Sequence, residues 1–134
     1  MITSKENQWV SAAVKLKEKK GRVEQGKFLI EGKKLIYDAK KHCVKFDKIF
    51  VTQENFENFK DFSCEIFIVT EQVIKYLSDT KTNQGAVAVA YLPLQKEYDG
   101  TKALLLDRIQ DPRNIGAIIR TACASGYKNV FLID

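Results

Sequence analysis

Residues 104–126 read LLLDRIQDPRNIGAIIRTACASG, and NVFLI follows at 129–133. Residues 104–106 are a short, wholly apolar run, which predicts a strand buried on both faces. A polar turn, 107–111, comes next. Asp111 is placed to cap a helix, and Pro112 suits its first position, where a missing N–H costs nothing. Ile115, Ile118, Ile119 and Ala122 recur at i, i+3, i+4 and i+7, one aliphatic stripe of a helix that Gly126 closes. The second apolar run, 129–133, predicts another buried strand. Strand, helix and strand in this order make a β-α-β unit, the building block of a parallel sheet.

The residues upstream alternate in the same way. Trp9, Ala13 and Leu16 mark the inner stripe of a first helix, with Lys15, Lys17, Lys19 and Lys20 mostly outside it and Gly21-Arg22 breaking it. Strands are predicted at 28–30, 48–52, 64–69 and 85–91. Between them lie a helix with stripe Leu35 or Ile36, Ala39 and Cys43, a short helix at 53–60, and a helix capped by Thr70 that runs to Leu77. Such alternation describes a compact α/β domain over residues 1–92. Residues 93–102, flanked by Pro93 and containing Gly100, read as a linker to residues 103–134.

Composition narrows the classes. At 45% hydrophobic, 134 residues suffice for one full core, or for one domain and part of another. No apolar run is long enough to span a membrane, and the start MITSKEN lacks the apolar stretch of a signal peptide. Cys43, Cys64 and Cys123 form no Cys-x-x-Cys pair, and His42 is the only histidine, so a metal site is not expected. The cysteines read as buried small hydrophobes in a reducing cytoplasm, and His42 as a helix-end residue. The charge is uneven: residues 1–48 hold 13 Lys/Arg against 6 Asp/Glu, a net +7, whereas 49–134 hold 9 against 11. A basic first third suits a phosphate-binding surface, and equally a solvated lysine-rich helix.

Several residues invite a functional reading. Arg22, after a lysine run, has the forked geometry to clamp phosphate or base edges, or serves as a helix-end arginine. Phe28 is a stacking platform or a core aromatic. Glu31 either compensates a helix start or orients Arg22. Gly32 implies an unusual backbone angle or a close approach, and Gln84-Gly85 a tight turn into a strand. On the last helix, at ~100° per residue, Arg120 sits roughly 140° from the centre of the aliphatic stripe, near Arg113 and among the small Ala117, Thr121 and Ala124. That face is either solvated or closely approached by another chain or ligand.

The string DPRNIGAIIRTA, residues 111–122, closely resembles the first motif of the SpoU (TrmH-type) RNA 2′-O-ribose methyltransferases of the SPOUT class. KEKKGR at 17–22, GKFLIEG at 26–32 and LSDTKTNQGAVAVA at 77–90 resemble the substrate-binding domain that precedes the catalytic domain in that family. The likeness runs through nearly the whole chain in family order. It implies an L30e-like amino-terminal substrate-binding domain, followed by the first β-α-β unit of an incomplete SPOUT (knotted, Rossmann-like) domain. The family's second and third motifs, which form the S-adenosylmethionine pocket, do not occur within these residues, so the chain reads as an amino-terminal piece of a longer enzyme.

By this resemblance the parent protein methylates a ribose 2′-hydroxyl of ribosomal or transfer RNA with S-adenosylmethionine, in the cytoplasm and as a homodimer. Lys19, Lys20, Arg22 and Glu31 are the implied RNA-binding positions. Asn114 and Arg120 are implied in the chemistry; Asn114 is open as well to a second capping role. A guanidinium stays protonated and makes a poor base, so Arg120 suits stabilising negative charge and phosphate-assisted activation of the hydroxyl. The rival reading is a non-catalytic RNA-binding module. A nucleotide-binding Rossmann enzyme is less well matched, because DRIQDP stands where a glycine-rich phosphate loop belongs.

Overall fold

The computed structural model describes residues 1–80, 83–94 and 97–133. The chain consists of two compact units, Met1–Pro93 and Leu94–Asp134. The first is built on a four-stranded sheet of β1 (Lys27–Glu31), β2 (Phe46–Val51), β3 (Glu65–Ile68) and β4 (Ala86–Tyr91) in the order β1-β4-β2-β3. β4 runs antiparallel to β1 and β2, and β3 parallel to β2. Side chains alternate along each strand. Phe50, Val87 and Val89 point to one core with Val10, Leu16, Val73, Ile74 and Leu77; Ile49, Val51, Ala86 and Ala88 point to another with Ile36, Phe59 and Phe62. Helices α1 (Gln8–Val14) and α5 (Glu71–Leu77) therefore cover one face, and α3 (Lys33–Lys41) and α4 (Phe56–Phe59) the other.

The first helical region departs from its predicted form. α1 ends in a 3-10 turn at Lys15–Lys17, Glu18 is extended, and α2 (Lys19–Gln25) starts afresh with Gly21 and Arg22 inside it. Gly21 is thus no helix breaker. A Cβ there would lie 2.0 Å from the Lys15 carbonyl oxygen, so glycine lets α2 press against the preceding turn. Val10, Ala13 and Leu16 form the inner stripe, and Trp9 is 38% exposed. In α3 it is Ile36, not Leu35, that is buried.

The cysteine reading is also corrected. Cys43 lies past the end of α3 in a left-handed turn and is exposed, Cys123 is exposed, and only Cys64 is half-buried. Cys123 follows the buried Ala122 and so falls on the outer side of its helix. Thr70 stands at the N-cap of α5 but gives no side-chain cap; its Oγ1 is buried without a hydrogen-bond partner among the described residues. His42 is the C-cap of α3, as its position predicts.

In the second unit, β5 (Ala103–Asp107) and β6 (Asn129–Ile133) pair in parallel, with Leu104 opposite Val130 and Leu106 opposite Leu132. α6 (Pro112–Ala124) crosses between them. The Asp111 carboxylate accepts the Arg113 amide at 2.8 Å and Pro112 opens the helix. Tyr98 packs edge-on to Phe131 at 5.5 Å, and Asp99 takes hydrogen bonds from the Thr101 hydroxyl and amide and from Asn129 that hold its pKa at about 2. The strands are not buried on both faces. Leu105 is 61% and Leu132 56% exposed, because one helix over two strands supplies a single covering layer.

Candidate nucleic-acid interface

One end of the first sheet gathers Glu31, Gly32, Gln84 and Gly85, four of the residues singled out from the sequence. The Glu31 carboxylate, at the end of β1, accepts the hydroxyls of Ser78 and Thr80 and, at 3.0 Å, the Asp79 amide. Burial opposes its charge, but those hydroxyls and the amides of residues 79 and 80 outweigh that and hold its pKa below the ordinary carboxylate range. Glu31 thus fixes the turn after α5. Its hydrogen bonds go there rather than to Arg22, and the local-hydrogen-bond reading is the one realised.

Lys17 reinforces the turn from the other side, 2.9 Å from Asp79 and donating to the Ser78 carbonyl at 3.1 Å. Gly32 follows Glu31 at φ +91°, a left-handed conformation that lets the backbone pass close to Gln84, whose side-chain oxygen accepts the Lys33 amide at 3.0 Å. Glu31, Gly32, Lys34, Leu35, Thr80 and Gln84 line a groove of about 230 Å³. Lys34 and Leu35 stand exposed on it. The sequence offered a signal for Lys33 and Lys34 in the basic pair directly after Gly32, and for Lys17 at the head of the KEKKGR run, but none for its pairing with Asp79, 62 positions away.

Arg22 is placed otherwise than a phosphate clamp requires. It is half-buried, and its Nη1 donates to the carbonyls of Leu16 at 3.1 Å and Lys17 at 2.7 Å. It closes the 3-10 turn, whose carbonyls have no helical continuation. Lys19 and Lys20 are exposed on the first turn of α2, with Lys20 3.8 Å from Glu24. Phe28 is half-buried in β1, whose neighbouring Leu29 and Ile30 are the residues that pack against the two cores.

In the second unit, Asn114 and Arg120 are exposed on α6, and neither side chain makes a hydrogen bond or ion pair among the described residues. Arg113 is drawn instead to Asp111 at 3.3 Å. Asp111 alone provides the side-chain cap, so the second-cap role open to Asn114 is not realised. Arg108, unremarked in the sequence, turns the chain out of β5 at φ +50° while its amide donates to the Ile133 carbonyl at 2.8 Å. A left-handed non-glycine residue costs roughly 1–2 kcal/mol, which this interstrand hydrogen bond helps to offset. Leu104, Ala117, Ile118, Thr121, Ala122 and Tyr127 line a shallow groove of about 360 Å³. Its lining is mainly apolar, with the hydroxyls of Thr121, Ser125 and Tyr127 but no charged group to meet a zwitterionic cofactor such as S-adenosylmethionine.

The first unit is thus a mixed α/β domain whose basic end is tied down by Glu31, and the second is a β-α-β unit whose helix exposes Asn114 and Arg120. Residues 7–88 match the family described as the MRM3-like substrate binding domain. Over 99% of its length the chain is 35% identical to the 23S rRNA (guanosine(2553)-2′-O)-methyltransferase RlmP of Bacillus subtilis (strain 168), of which it covers 54%. An AdoMet-bound rRNA methyltransferase from Sinorhizobium meliloti superposes with a TM-score of 0.77 at 28% identity, over 99% of this chain and 54% of that one. The SpoU methyltransferase AviRb from Streptomyces viridochromogenes, at 21% identity and a TM-score of 0.75, over 94% of this chain and 52% of that one, shares the fold. The chain belongs to the SpoU/TrmH family of RNA methyltransferases. It spans about half the length of the relatives it matches. No helix among the described residues is long and apolar enough to cross a membrane.

Proposed function

We propose that the whole protein methylates a ribose 2′-hydroxyl of ribosomal RNA with S-adenosylmethionine as methyl donor, and that this chain supplies RNA binding and the first catalytic motif. In this reading residues 1–92 bind structured RNA, 93–102 link, and 103–134 begin a SPOUT-type domain that acts as a homodimer. The observation that carries it is the placement of Asn114 and Arg120, both exposed and unpartnered on α6, in a chain 35% identical to a 23S rRNA 2′-O-methyltransferase. An arginine free of internal partners, permanently protonated, is suited to hold a phosphate and to stabilise the charge that develops on a ribose oxygen. The Asn114 amide can donate and accept at once, which suits orienting a sugar hydroxyl.

RNA contact is assigned to Lys19 and Lys20, with Lys33 and Lys34 beside the groove. Arg22 and Glu31 shape that surface, the first by closing the 3-10 turn and the second by fixing residues 78–80. The rival reading, a non-catalytic RNA-binding module, is supported by the self-contained core of the first unit.

In the whole protein, Arg120→Ala should cut methyl incorporation from labelled S-adenosylmethionine by around tenfold or more while leaving RNA affinity intact. Wild-type turnover in that variant overturns the catalytic assignment. For this chain, contact with about four phosphates gives a log–log salt slope near −3, and Lys19→Glu with Lys20→Glu should flatten it.

A further inference from the structure

The opposite end of the first sheet holds a second cavity, of about 410 Å³, lined by Lys40, Lys45, Phe46, Phe62, Ser63 and Tyr91 together with Val44. Its walls are set by the backbone. The turn after α3 is closed by the Cys43 amide to the Lys40 carbonyl and the Val44 amide to the Ala39 carbonyl, both at 3.1 Å. The Tyr91 amide then donates to the Lys45 carbonyl at 2.9 Å, tying the turn to the end of β4. Phe46 and Phe62 meet edge to face at 5.5 Å.

Tyr91 is the unusual member. The residue is 42% exposed, yet its hydroxyl is anchored to Asp47 Oδ1 at 3.0 Å and the Lys27 ammonium lies 5.0 Å from the ring centre. Asp47 in turn sits 2.9 Å from Lys48 and 3.0 Å from Lys27, so two cations face one carboxylate. An exposed aromatic ring held in one orientation is ready to stack without a further loss of side-chain freedom. Around it, the Lys40 ammonium lies 4.1 Å from the centre of the Phe62 ring, and the exposed Lys45 ammonium makes no ion pair among the described residues. Asp61, whose carbonyl accepts Lys40 at 3.2 Å, is the neighbouring acid. Aromatic faces with ammonium groups at the rim, in a cavity large enough for one base and its sugar, match a single unstacked nucleotide in both its parts.

We propose that this cavity is a nucleotide pocket for an unpaired residue of the RNA substrate, with the base stacked on Tyr91 and the flanking phosphates on Lys40 and Lys45. The proposal rests on the RNA-binding reading and adds to it a second contact point, at the far end of the sheet from the Glu31–Gln84 groove.

The test uses the full 134-residue chain and three probes in fluorescence anisotropy: a hairpin RNA with an unpaired loop, a fully paired hairpin, and adenosine monophosphate as competitor. The wild type should prefer the looped hairpin by about tenfold, the scale of one base–aromatic stack. Tyr91→Ala and the exposed-site variant Lys45→Glu should each remove most of that preference, whereas Tyr91→Phe, which keeps the ring, should retain it. Lys19→Glu with Lys20→Glu should weaken both hairpins alike. Equal wild-type affinity for the two hairpins, or an undiminished preference in both Tyr91→Ala and Lys45→Glu, overturns the pocket and leaves the RNA-binding reading standing. Binding of neither hairpin overturns both. Tight binding of adenosine monophosphate that the looped RNA does not displace makes this a free-nucleotide site and also overturns the proposal.

Discussion

Gly21→Ala sets two opposed effects against each other, and the structure decides between them. In a solvated helix the change stabilises by about 1 kcal/mol, because alanine is the better helix former. In α2 the new methyl group would stand 2.0 Å from the Lys15 carbonyl oxygen and 2.6 Å from its carbon. Ordinary contact needs more than 3 Å, so α2 and the 3-10 turn must separate by over an ångström, and both partners are backbone. Overpacking of this kind costs roughly 1–3 kcal/mol, and against rigid atoms the upper end applies. The net loss is about 1–2 kcal/mol, which for a domain the size of the Met1–Pro93 unit lowers Tm by about 4–16 °C. Thermal and urea unfolding of the chain measure it directly. RNA affinity should fall too, because Lys19 and Lys20 ride on the displaced helix. An unchanged or raised Tm would refute the close approach and restore Gly21 as an ordinary helix position.

Other substitutions probe the latched end and the caps. Glu31→Gln should lower Tm at neutral pH. The Glu31 pKa is depressed in the folded state, so its contribution is present above the unfolded value of about 4.3 and fades as pH falls through the lower folded value; the gap to wild type should therefore close in acid, as a Tm-against-pH series will show. Thr70→Val removes a buried hydroxyl that has no partner among the described residues and should be neutral or stabilising by up to about 1 kcal/mol in urea unfolding; a clear loss would reveal a hidden hydrogen bond. Asp111→Ala removes the side-chain cap of α6 and should speed amide exchange in its first turn, by the equivalent of about 1 kcal/mol.

Local signals carried the elements whose cause is local. Asp111-Pro112 start α6 because an acceptor and a ring without an N–H suit a helix start wherever they fall, and the aliphatic recurrence after them chooses the buried side. The strands of the first unit were legible for the same reason, as β-branched and aromatic residues flanked by polar turns. The misreadings sit where contacts beyond the helical repeat decide, whether a turn away or across the fold. Gly21 looks like punctuation until the Lys15 carbonyl is beside it, and Arg22 looks free until the 3-10 turn offers it two carbonyls. Glu31 is separated from Ser78 by 47 positions, so no pattern in either segment announces their hydrogen bond. Leu105 reads as buried because an apolar run says nothing about how many layers will cover it.

The order of strands has a kinetic meaning. β4, the last strand of the first unit to appear in the chain, lies between β1 and β2, and β1 has no other partner in the sheet. As the polypeptide lengthens, β2 and β3 are able to pair, but β1 waits unpaired and both cores stay open until residues 86–91 arrive. Val87 to Ala90, all but sealed from solvent, then complete both faces in one event. Folding of this unit should therefore be abrupt and governed by contacts far apart in sequence, which places it among the slower small domains, and a nascent chain halted before Ala86 would have no complete sheet with which to hold its basic end in shape.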